Sequence, residues 1–126
     1  MKLVFVAILI TAFAQGETPR HIAGRIRIEK TAAGVVRFAP LELVAWAGDL
    51  IHWYNDTDEA HEPGVIKKDG TFVAFLEELI AARTVSFVFS PLPRIDNAKK
   101  QVAFTIKYVC GRHPGEQGVI QIVPTP

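Results

Sequence analysis

The chain holds one cysteine, Cys110, among 126 residues, so no disulfide can close within it. A lone thiol also rules out the multi-cysteine cages of structural zinc sites. Charge of either sign is not in excess: 14 Lys and Arg face 13 Asp and Glu, and without Lys2 the two signs are equal. That balance leaves no electrostatic case for nucleic acid or for an anionic membrane surface. The apolar run Leu3 to Ala14 is too short to span a bilayer comfortably. No internal repeat and no low-complexity segment is present, which leaves a chain sized for one domain around one core.

The N-terminus follows an export pattern. Lys2 precedes the apolar run, and Ala12 and Ala14 supply the small residues of a cleavage site. The expected organisation is a signal peptide over 1–14, a flexible stretch over 15–23 and a single domain over 24–126. The mature protein is then periplasmic or secreted, free of the membrane and monomeric. Export constrains the cysteine: in an oxidising compartment it must be buried, joined to another molecule or bound to metal.

Beyond residue 24 the pattern is that of strands. Arg25-Ile-Arg-Ile-Glu29 alternates at period two, and Thr31 to Gly34 reads as a turn. The β-rich segment Val35 to Ala47 contains Pro40, which marks an edge or a switch between sheets. Gly48-Asp49 turns the chain into a strand over Leu50–Asn55, and a polar loop then leads to His61. Phe72, Val73, Phe75, Leu76, Leu79 and Ile80 have helical spacing, which predicts a short helix around 72–80 with Glu77 and Glu78 facing water. Thr84 to Ser90 is a further strand, and Pro91 to Lys100 a surface excursion. Val102, Phe104, Ile106 and Tyr108 share a face whose parity carries Cys110 inward, and Val119–Val123 is the last strand. Many short strands separated by turns predict an all-β, antiparallel sandwich.

Four residues form a metal-ligand set: His61, Cys110, His113 and Glu116. Cys110 ends a strand, and His113 and Glu116 follow in a tight loop whose backbone is restricted by Pro114 and freed by Gly111, Gly115 and Gly118. His61 arrives from a distant strand end. Two imidazoles and a thiolate on a β scaffold suit one copper ion better than other common metals. Burial alone explains a cysteine but not its neighbours His113 and Glu116. His52, on the face opposite Ile51 and Trp53, reads as an exposed strand residue, and His21 as part of a mobile tail. Cys110 and His113 do not make a nucleophile and base, because no third group orients them and no substrate-sized cleft is indicated.

Phe38-Ala-Pro40, Gly48-Asp49-Leu-Ile-His-Trp53-Tyr-Asn55, His61 and Tyr108-Val-Cys110-Gly-Arg-His113-Pro114 together resemble the cupredoxins, and among them the plastocyanins and amicyanins. The similarity runs from about Ile26 to Val123, and the short Cys-x-x-His-Pro-x-x-x-Gly loop is most like that of amicyanin. The resemblance implies an eight-stranded Greek-key sandwich with one type 1 copper, passing single electrons between transient protein partners. It places His61, Cys110 and His113 on the three strong ligands. The position usually held by methionine is Glu116, with Gln117 beside it as an alternative axial ligand. Glu62 stands where relatives have an asparagine that ties the ligand loops together, and a carboxylate cannot donate in its place. Gly111 lacks the hydroxyl common after the cysteine. A harder axial donor favours Cu(II), and an open face would suit two other roles: copper storage or delivery, or binding of a small ligand such as nitric oxide.

The resemblance also implies an exposed His113 edge in an apolar patch, here Pro63, Gly64, Pro114 and Gly115, with Arg112 placed to steer an acidic partner.

Overall fold

The computed structural model describes residues 22–77, 79–89 and 91–126. The expected signal segment 1–14 and His21 lie outside the described residues. Among the described residues the first strand starts at Ile22, slightly before the expected domain edge at 24.

In chain order the strands are β1 (Ile22–Lys30), β2 (Val36–Ala39), β3 (Glu42–Trp46), β4 (Leu50–Asn55), β5 (Pro63–Ile66), β6 (Phe72–Ala74), β7 (Val85–Phe89), β8 (Arg94–Ile95), β9 (Gln101–Val102), β10 (Phe104–Cys110) and β11 (Gln117–Val123). One sheet has the order β2-β1-β4-β7 and the other β3-β11-β10-β5-β6. The sheets thus hold nine strands where the resemblance implied eight, and β8 and β9 form a separate small hairpin. Most pairings are antiparallel, but β1–β4 and β3–β11 run parallel, as crossovers between the sheets require.

Pro40 falls where the chain changes sheets: β2 belongs to the first and β3 to the second. At the next turn Gly48 has φ 86°, and the Asp49 carboxylate accepts the Trp46 N–H at 2.7 Å. Alternation then does what the sequence promised. Ile51, Trp53 and Asn55 point inward from β4, and Phe104, Ile106, Tyr108 and Cys110 from β10.

Trp53, Tyr108 and Phe38 centre the core. Tyr108 meets Phe38 at 4.8 Å and Trp53 at 5.2 Å between ring centroids, both edge to face. Each such pair contributes about 0.5–1.5 kcal/mol beyond its burial. Gly118 makes this possible, since a Cβ there would lie 2.3 Å from the Tyr108 ring. Ile26, Ile28, Ile51, Ile120 and Ile122 fill the remaining space between the sheets.

No helix occurs among the described residues, which corrects the expectation for 72–80. Phe72–Ala74 instead pairs with β5 and completes a sheet edge, so its backbone groups bond to a neighbouring strand rather than within a helical turn. Phe75 and Leu76 reach the core from a bend. Ile80 bridges His61 through paired backbone bonds of 2.9 and 3.1 Å. Apolar residues at helical spacing therefore serve three separate contacts. Glu77 is exposed as expected. Val102 departs from the shared face of β10: the chain breaks at Ala103, and Val102 sits in β9 with its side chain out.

Candidate metal centre

One end of the sandwich brings four side chains together. Cys110 closes β10 with its side chain fully buried, and the loop after it folds back on itself. His113 N–H donates to the Cys110 carbonyl at 3.1 Å, Glu116 N–H to the His113 carbonyl at 2.9 Å, and Cys110 N–H to the Glu116 carbonyl at 3.1 Å. Those three bonds set Cys110, His113 and Glu116 around a common point. His61 enters from the β4–β5 connection, held by its backbone bridge to Ile80.

The ligand atoms of His61, Cys110, His113 and Glu116 all lie within 4.8 Å of one another. Both histidines turn Nδ1 towards the sulfur, each 3.7 Å from Sγ. Glu116 Oε1 lies 3.0 Å from Nδ1 of His61, and Oε2 lies 3.4 Å from Nδ1 of His113. Oε1 is buried and, beyond this contact with His61, has no hydrogen-bond partner. A buried carboxylate oxygen left in this way is costly unless a cation completes it. Two nitrogens, a sulfur and that oxygen aimed at one point form a donor set that fits a single metal ion.

Gln117 does not join the cluster; it begins β11, exposed and paired with Val109. The chain's single methionine is Met1, so the domain has no thioether to offer in place of Glu116. His52, expected to be exposed, alternates with the inward residues of β4 but is half-buried, and it is not one of the four clustered ligands.

Around the ligands the structure adds contacts at two of the expected positions. Glu62 does tie the ligand loops together, but through its backbone: its N–H donates to Cys110 Sγ at 3.3 Å, and its carbonyl accepts the Gly111 N–H at 2.8 Å. The Phe72 ring edge lies against Gly111: a Cβ there would lie 2.6 and 2.7 Å from that ring and 2.9 Å from Glu62 Oε1.

Three further residues escaped sequence reading. Thr57 Oγ1 lies 2.9 Å from His61 Nε2, and Asn55 Oδ1 lies 2.7 Å from the same hydroxyl. Glu59 extends its carboxylate to 3.4 Å from Nε2 of His113. Asn55 carried a signal, since it occupies an inward position of β4 where an apolar residue was due.

Exposure divides the two imidazoles. His61 is fully buried, whereas the His113 side chain is 37 % exposed. Burial lowers the pKa of His61 below its ordinary value, and repulsion from His113 adds to this, while Glu116 acts in the opposite sense. Beside His113 is an open depression of about 450 Å³ whose lining includes Lys30, Val36, Glu59, Pro114 and Glu116. Pro63 and Gly64, expected in the exposed patch, are buried in β5; Pro114 and Gly115 are exposed.

Neither a protein-family model nor a curated protein matches the chain. Solved structures do share its fold. A purple cupredoxin from Nitrosopumilus maritimus matches with a TM-score of 0.57 at 20% identity, over 79% of this chain and 98% of that one. Amicyanin from Paracoccus versutus matches with a TM-score of 0.56 at 18% identity, over 85% and 86%. A copper-containing nitrite reductase from Thermus scotoductus matches with a TM-score of 0.55 at 16% identity, over 87% of this chain but only 24% of that one. At these identities the likeness establishes architecture: the chain has the cupredoxin fold, with a His-Cys-His-Glu cluster at one end.

Proposed function

We propose that this chain is an exported copper protein that carries single electrons between transient protein partners. The observation that carries the reading is the convergence of four donors on one point, with a buried Glu116 oxygen that no hydrogen bond satisfies. One thiolate with two imidazoles on a rigid β scaffold favours copper over zinc, which is commonly held by more sulfur or by an open three-ligand set. Bound there, copper would supply a one-electron change between Cu(I) and Cu(II).

The surrounding residues suit that task. Cys110 and His61 are anchored by strand pairing and buried, so the donor set is held alike in either state. His113 alone offers a partly exposed ring edge, flanked by Pro114 and Gly115. Glu59 beside that edge and Arg112 in the same loop give it mixed charge, so docking would be small and short-lived. The amicyanin and purple cupredoxin likenesses support this reading through the fold.

A second reading, an open centre that takes a small ligand, is favoured by the depression beside His113. Burial weighs against it. Glu116 is only 11 % exposed and itself lines that depression. Copper delivery meets the same objection, because two of the four donors are fully buried.

Voltammetry of the copper-loaded protein with and without azide separates these readings. Electron transfer predicts a reversible one-electron wave that azide leaves unchanged. A wave displaced by azide would favour the open centre, and rapid loss of copper to a mild chelator would favour delivery.

A further inference from the structure

We infer that Asn55 and Thr57 form a buried lock that fixes His61 as its Nε2–H tautomer, so that Nδ1 is a bare donor before any metal arrives. All three side chains are buried. The order of donors follows from the backbone outward. The Asn55 amide nitrogen faces three carbonyls, those of Glu59 at 2.6 Å, Ile80 at 3.1 Å and Ala81 at 3.2 Å. Only an NH₂ group can face three acceptors, so the opposite atom, turned towards Thr57, is Oδ1. Oδ1 accepts the Thr57 backbone N–H at 3.0 Å and, being only an acceptor, takes the Thr57 hydroxyl proton at 2.7 Å.

That spends the single proton of the hydroxyl. Its other near contacts are the Glu59 carbonyl at 3.1 Å, which competes for the same proton, and the Glu59 N–H at 3.3 Å, which donates to it. Towards Nε2 of His61, 2.9 Å away, Oγ1 can therefore only accept. Nε2 carries the proton, and Nδ1 turns its lone pair to Cys110 and Glu116. The competing arrangement places the proton on Nδ1, facing Glu116. It would gain the single contact of Nδ1 with Glu116 Oε1 at 3.0 Å, but would turn the Thr57 hydroxyl around and deprive the buried Asn55 Oδ1 of its shortest bond.

Thr57 and Asn55 are thus positioning residues that act on the metal site through His61. Outer partners of a metal-bound imidazole typically change metal affinity 10- to 100-fold when removed. The inference stands on hydrogen bonds of the metal-free chain and does not depend on which metal is bound.

The test is nitrogen-15 NMR of His61 in the metal-free protein, for the wild type, Thr57→Val and Thr57→Ser. The expected results are a protonated Nε2 and bare Nδ1 in the wild type, the same in Thr57→Ser, and a shift towards Nδ1–H in Thr57→Val. Cu(II) affinity should fall roughly 10- to 100-fold in Thr57→Val and be largely restored in Thr57→Ser. A wild-type Nδ1–H tautomer overturns the inference, and this holds even where Thr57→Val fails to fold. So does an unchanged tautomer in folded Thr57→Val. Failure of the wild type to bind Cu(II) would instead count against the copper reading and leave the tautomer result standing.

Discussion

Glu62 and Cys110 are joined backbone to sulfur: the Glu62 N–H donates to Sγ at 3.3 Å, while the Glu62 carbonyl holds Gly111, the residue after the cysteine, at 2.8 Å. The two ligand loops are thereby stitched without the Glu62 side chain. Glu62→Gln keeps both bonds, so stability in urea should change by no more than about 0.5 kcal/mol, and the spectrum of the copper-loaded protein should hold. A large loss in either measurement would show that the carboxylate itself ties the loops.

Gly111 tests the contact between the ligand loop and β6. In Gly111→Ala the new methyl would overlap the Phe72 ring. Overpacking of this kind costs about 1–3 kcal/mol, measurable by urea unfolding. Combining it with Phe72→Leu should recover part of that loss, since the two positions touch. Strict additivity of the two changes would contradict the contact.

Much of this was readable in advance, for reasons that differ by residue. Cys110 was placed inward by the parity of Phe104, Ile106 and Tyr108, because side chains alternate on a strand and the core must be apolar. Pro40 marked the change of sheet, because it cannot donate to a ladder. Ile80 was misread: its apolar side chain fitted a helix, while its backbone was committed to pairing with His61, and no periodicity reports that kind of contact. For Glu62 the side-chain chemistry was legible and the backbone bonds were not, for a related reason. Thr57 looked like loop because its role depends on a hydroxyl meeting a ring four residues away, across a turn.

The buried His61 gives the metal-free protein a pH dependence with a definite sign. Burial lowers its pKa in the fold, whereas the unfolded chain takes up the proton near the ordinary value of 6.5. Below that pH the unfolded state binds more protons, so stability falls as pH drops from about 6.5 until the folded value is reached. The slope contributed by one group is at most about 1.4 kcal/mol per pH unit. Urea unfolding at successive pH values should show this slope in the wild type and a weaker one in His61→Gln. Equal slopes would remove His61 as the cause.

Glu116 is expected to govern the redox balance of the bound metal. Replacing its hard oxygen by a thioether removes a donor that prefers Cu(II), so Glu116→Met should raise the reduction potential of the copper-loaded protein. A potential that does not move would place the carboxylate off the metal.

The central claim, one copper ion held by His61, Cys110, His113 and Glu116, is tested most directly by titrating the metal-free protein with Cu(II) while recording visible absorption and EPR spectra. The account predicts saturation at one equivalent and an intense thiolate-to-copper band that is absent in Cys110→Ser and displaced in Glu116→Met. Weak, colourless binding, or binding that continues past one equivalent, would contradict it.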